Sequence, residues 1–149
     1  MAVLFGLGEP MKYVIVYWSR FGNNKKIVDA LEPLLKKKGD VQVFKAIEVN
    51  SAKMPDADYY IFSAAVEALM IQLDMKILMK NIEDLDGKKY GIINTYKNRN
   101  KLKKMEKLLN KKKMIKIAEV DFAMGENFKA GKGLQTGWEG KLQEFAGKL

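Results

Sequence analysis

Three stretches of this chain, YVIVYW at 13–18, YYIFSAAV at 59–66 and YGIINTY at 90–96, are apolar without interruption. A run of this kind belongs to a strand covered on both faces. Each is followed by apolar residues at helical spacing: Ile27, Val28, Leu31, Leu34 and Leu35 after the first, Ile71, Met75, Leu78, Ile82 and Leu85 after the second, Leu102, Met105, Leu108 and Leu109 after the third. Buried strands alternating with amphipathic helices admit few folds. Two further runs, VQVFKAIEV at 41–49 and IKIAEVDF at 115–122, alternate in polarity and suit sheet edges, and a last helix buries Trp138, Leu142, Phe145 and Leu149. With the second and fifth strands at the edges, the pattern predicts a three-layer α/β fold: a five-stranded parallel sheet in order 2-1-3-4-5 with helices on both faces.

Local punctuation refines the expectation. Gly39 is expected to stop the first helix, and Pro33 is tolerable inside it on the polar face shared with Asp29 and Lys36. Asp84, Asp86 and Gly87 read as a turn, Met70, Met75 and Met79 as adaptable packing, and Trp18 as a core residue. MAVLFGLGEP precedes Met11 and is too short and interrupted to join the fold, so residues 1–11 are expected to stand apart as an extension of one domain at 12–149.

Composition then excludes chemistry. Among 149 residues there is no Cys and no His, which removes thiolate nucleophiles, imidazole bases and the commonest ligands of zinc and iron. A bound cofactor must carry any redox chemistry, no catalytic residue can be named, and no metal is expected. No apolar run approaches the roughly 18 residues of a membrane span, and the N-terminus lacks signal-peptide character, so a cytoplasmic protein is expected. Ten of the 27 cationic residues and one of the 18 acids lie between Lys97 and Lys116, so the whole net charge of +9 resides there. That segment is expected to be a basic helix. It reads as a solvated face, as a docking surface for an acidic redox partner, or as a sequence-blind nucleic-acid surface; the last is disfavoured by the absence of aromatics in it.

The site is expected beyond the carboxyl end of the first strand, where strand order reverses. There the chain reads S-R-F-G-N-N-K-K-I from Ser19. Gly22 permits close backbone approach, Asn23 or Asn24 can cap the next helix, and a helix N-terminus favours a phosphate. Ser19 adds a hydroxyl, while Arg20 and Lys25 add charge.

This stretch resembles the phosphate loop of the flavodoxin family, T/S-x-T/S-G-N-T. Ser19, Gly22 and Asn23 match it; Phe21 and Asn24 replace hydroxyl residues, Asn24 still able to donate from its amide. The resemblance implies a flavodoxin-like fold, FMN as cofactor, and electron transfer or flavin-dependent reduction with a redox partner protein. It places the phosphate at Ser19, Arg20, Phe21, Gly22, Asn23 and Asn24. The ring falls to the loops after the third strand (Ala64, Ala65, Val66, Glu67) and the fourth (Asn94, Thr95, Tyr96, Lys97, Asn98), with Tyr96 as a stacking platform. The alternative is a non-enzymatic module of this fold without FMN, using the basic helix 97–116 for acidic proteins or nucleic acid.

Overall fold

A computed structural model describes residues 10–149; the N-terminal stretch expected to stand apart lies, up to residue 9, outside the described residues, and its last residue, Met11, instead opens the first strand opposite Gly39. The chain forms β1 (Met11–Tyr17), α1 (Asn23–Lys36), β2 (Gly39–Lys45), β3 (Tyr59–Glu67), β4 (Met70–Ile71), α2 (Leu73–Asn81), β5 (Lys89–Tyr96), α3 (Leu102–Asn110), β6 (Ile115–Ala123) and α4 (Trp138–Gly147). The five long strands are parallel neighbours in the order β2-β1-β3-β5-β6, which is the expected order. One strand was not anticipated: β4, two residues long, folds back antiparallel on the end of β3.

The apolar runs became the three central strands because both their faces are covered. Val14 and Val16 of β1 and Tyr60 and Phe62 of β3 face α2 and α3, whereas Tyr13, Ile15 and Ile61 face α1 and α4. The two-residue period divides one hydrophobic segment between two cores. Along α1, Ile27, Val28, Leu31 and Leu35 are buried against the second core, and Pro33 is exposed as expected. Each such side chain contributes about 1.5–3 kcal/mol by burial, so Leu31→Ala would cost about 2–5 kcal/mol.

Several boundaries differ from the sequence expectation. The first helix ends at Lys36, and Gly39 opens β2 instead of capping it. In the second stripe only Leu73–Asn81 is helical. Gln72 starts that helix, its Oε1 accepting from the Met75 N–H at 3.0 Å, while its own N–H donates to the Ala65 carbonyl. Ile71 therefore falls in β4, and Ile82 and Leu85 are buried in the turn beyond the helix. Met75 and Met79 are core residues, but Met70 is 51% exposed. The basic stretch 97–116 is helical only as α3; Lys111–Lys113 form a turn and Lys116 belongs to β6, where it pairs with Glu106 and Glu119.

Candidate functional site

The loop between β1 and α1 is built by its own side chains. Ser19 Oγ accepts from the N–H groups of Gly22 (3.1 Å) and Lys25 (3.2 Å), folding the loop over the first turn of α1. Gly22 is the residue before the helix and has φ 98°, a left-handed conformation that a side chain resists. A Cβ there would meet nothing within 4 Å, so the glycine answers a backbone requirement, not a lack of space. These bonds and the first helical one consume the N–H groups of Gly22, Lys25 and Lys26. They leave those of Arg20, Phe21, Asn23 and Asn24 available to an anion at the positive end of α1.

The amide side chains do not play the parts expected of them. Neither caps the helix. Asn23 is buried, with Nδ2 donating to the Phe128 carbonyl at 2.8 Å and Oδ1 accepting from the Gly133 N–H at 2.9 Å. It staples the loop to the segment before α4. Lys26 reaches the Gly131 carbonyl in the same segment. Gly131 itself has φ 74°, and a Cβ on it would strike the Phe21 carbonyl oxygen. Asn24 Nδ2 donates to the Trp18 carbonyl at 2.8 Å, so the donor expected for the phosphate is engaged within the loop, while its buried Oδ1 has no partner among the described residues. Two expected cations are also tied: Lys25 to Asp29 at 2.7 Å, and Arg20 to Glu67 through two bonds of 2.8 and 3.1 Å.

The loop opens into a cavity of about 450 Å³, within the range of small-molecule sites. Of the residues expected at the site, Ser19, Arg20, Phe21, Asn23, Asn24, Ala65, Val66, Glu67, Thr95, Tyr96, Lys97 and Asn98 line it together. Three do not. Gly22 sits in the adjoining depression. Ala64 and Asn94 are buried beneath the floor, where Asn94 Nδ2 donates to the Ala64 carbonyl (2.9 Å) and Oδ1 accepts from the Lys101 N–H (2.7 Å). Asn94 thus shapes the loop after β5 from below.

Sequence reasoning missed part of the wall. Ala68 and Leu69 extend the loop after β3, and Met124, Phe128 and Lys129 arrive from after β6, whereas Arg99 stands beside Lys97 at the rim, as its place after the fourth long strand implies. Nothing local marks the three from after β6; their only signal is the spacing of Gly125, Gly131 and Gly133. Trp18, expected in the core, is half-buried: it packs against the α2/α3 core and also faces the cavity, with the Arg20 guanidinium 5.2 Å from its ring centroid.

Four cations and one carboxylate line the cavity. Arg20 and Glu67 cancel, the bond to Glu67 raising the guanidinium pKa above its ordinary value. Lys97, Arg99 and Lys129 have no carboxylate partner among the described residues, although Lys97 Nζ lies 3.5 Å from the Met124 carbonyl oxygen. Burial, and then Asp121, push the Tyr96 phenol above its usual range, so it stays neutral. The arrangement can hold a planar ring with a phosphate tail beside net positive charge.

The family model described as "Flavodoxin domain" matches residues 14–129, most of the chain. No curated protein is a significant match. Among solved structures, a flavodoxin from the domain Archaea is 17% identical over 93% of this chain and 98% of its own, with a TM-score of 0.67. Rubredoxin oxygen:oxidoreductase from Desulfovibrio gigas is 16% identical over 94% of this chain and 35% of its own, at 0.75. A Fusobacterium nucleatum flavodoxin mutant bound to flavin mononucleotide is 16% identical over 93% and 92%, at 0.65. At these identities the likeness establishes the fold.

Proposed function

The chain belongs to the flavodoxin family, and on that premise we propose that residues 12–149 form a cytoplasmic FMN-binding domain that passes electrons to and from redox partner proteins. One observation carries this reading. The β1–α1 loop is held by bonds to Ser19 Oγ and from Asn24 Nδ2, while the N–H groups of Arg20, Phe21, Asn23 and Asn24 have no internal acceptor among the described residues and their residues line a ring-sized cavity. Those donors suit a phosphate. FMN, when bound, supplies one- and two-electron redox chemistry that no side chain here can perform.

The chain's own residues would do the rest. The N–H groups of Arg20, Phe21, Asn23 and Asn24 would hold the phosphate, Trp18 and Tyr96 would offer aromatic faces to the ring, and residues 65–67 and 95–98 would line its sides. Lys97, Arg99 and Lys129 favour added negative charge at the site, and they suit an acidic partner. Among the described residues no helix is long and apolar enough to cross a membrane. The alternative of a domain without FMN is not favoured, since the phosphate loop keeps its donors despite Phe21 and Asn24.

Titrating purified apo-protein with FMN and with riboflavin tests this reading. FMN should bind at least tenfold more tightly, a difference of about 1.4 kcal/mol. Equal affinity for riboflavin, or no uptake of either, would overturn the phosphate role of residues 19–24.

A further inference from the structure

We infer that the apolar strip leaving the cavity at Leu69 and continuing onto α2 is the docking face for an acidic redox protein; this rests on the FMN reading above. Among the described residues, half of the large exposed apolar side chains fall between residues 69 and 77: Leu69 (70%), Met70 (51%), Leu73 (63%) and Ile77 (49%). Single exposed apolar residues are ordinary, but a run beginning at the lip of a binding cavity marks an interaction surface. Leu73 and Ile77 share a helix face at i,i+4.

The hairpin carrying Leu69 adds a second observation. Ala68 (φ 49°) and Leu69 (φ 65°) are the two residues between β3 and β4, and both are left-handed. Asn-Gly is the usual choice for such a turn, because a branched side chain there strains the backbone. Leucine gains nothing in the core here, since it is exposed. An exposed leucine held in this conformation at the cavity lip points to a use for the side chain in contact with what docks there.

Charge identifies the occupant. Lys97, Arg99 and Lys129 stand around the same cavity, and Lys76 and Lys80 lie on α2, all without a carboxylate partner among the described residues. The acids adjoining the strip are engaged: Asp74 accepts from Gln72 Nε2 at 2.9 Å, and Glu67, opposite Met70, is bound to Arg20, while Glu83, Asp84 and Asp86 follow the far end of α2. A second copy of this chain, itself at +9, would meet its own cations. A carboxylate-rimmed protein with an apolar centre would be attracted, and its redox centre would arrive at the cavity mouth. In the exchange one electron leaves the partner's reduced iron and enters the flavin; no bond forms or breaks.

The test uses FMN-loaded protein, its loading verified by visible absorption, reduced in a stopped-flow instrument by a chemically reduced acidic [2Fe–2S] ferredoxin. The second-order rate should fall as salt is raised. Oxidation of the reduced protein by cationic cytochrome c should instead speed up with salt. Leu73→Ser/Ile77→Ser, which touches neither cavity nor core, should lower the ferredoxin rate about tenfold at unchanged FMN affinity and spectrum. An unchanged rate in that variant, a reversed salt dependence, or strip-dependent binding to anionic lipid vesicles with no effect on ferredoxin would each overturn the inference. If the protein takes up no FMN, the functional reading fails by itself. Anisotropy titration of the apo-protein with labelled oxidised ferredoxin then reads docking alone, and loss of binding in the double variant would still support the strip.

Discussion

Replacing Asn23 by alanine should separate the loop from the segment that holds it. The side chain is 7% exposed and makes two bonds, to the Phe128 carbonyl at 2.8 Å and from the Gly133 N–H at 2.9 Å. Each contributes about 1 kcal/mol net, and stranding the buried Gly133 donor adds about 1–3 kcal/mol, so the loss should be about 3–5 kcal/mol. Asn23→Asp discriminates among explanations. It keeps the acceptor for Gly133 and places a negative charge in the first turn of α1, which favours the helix. It loses the donor to Phe128 and sets a carboxylate beside the anion cradle. The aspartate variant should therefore unfold at higher urea than the alanine variant, yet bind FMN more weakly. A loss below about 1 kcal/mol in Asn23→Ala, or tighter FMN binding by Asn23→Asp than by Asn23→Ala, would refute the staple.

Two further outcomes follow from charge and burial. Lys97→Glu/Arg99→Glu should lower the potential of bound FMN by about 20–40 mV for each charge removed, an effect that shrinks as salt is raised; no shift would place these cations away from the ring. The pKa values of Tyr13, Tyr60 and Tyr90 are raised chiefly by burial. Because their folded values exceed the unfolded one of about 10, the stability they contribute is complete below that pH and is lost as pH climbs above it. Absorbance titration should show these phenols ionising together with unfolding, and ionisation of all six tyrosines near pH 10 in a folded protein would contradict the burial.

The fold was legible because its signals are local and repeated. Unbroken runs such as 59–66 could only be central strands, and the alternation in 41–49 and 115–122 marked the half-buried edges, although β2 ends at Lys45 and residues 46–48 of the first run turn into a short 3-10 helix. Boundaries were harder where tertiary bonds outweigh periodicity. Ile71 fits the stripe of α2, but Gln72 caps that helix one residue later and β4 claims the isoleucine. At the site, the loops that follow strands could be read in order along the chain. The role of Asn23 could not. An asparagine next to a glycine at a helix start reads as a cap or a ligand donor, and only the arrival of Phe128 and Gly133 assigns both ends of its amide elsewhere.

That distant arrival fixes the order in which the molecule can mature. The two bonds of Asn23 span 105 and 110 residues, so the loop near the start of the chain cannot take its final form until residue 133 has been made and docked. β1, α1, β2 and β3 can assemble during synthesis from nearer contacts, with the anion cradle still open on one side. Closing it requires one long-range step, whose entropic cost grows only slowly with the length of the loop. On the proposed phosphate role of residues 19–24, cofactor capture would come late, and a nascent chain that stalls before β6 would carry the whole loop sequence without the Phe128 and Gly133 contacts that fix it.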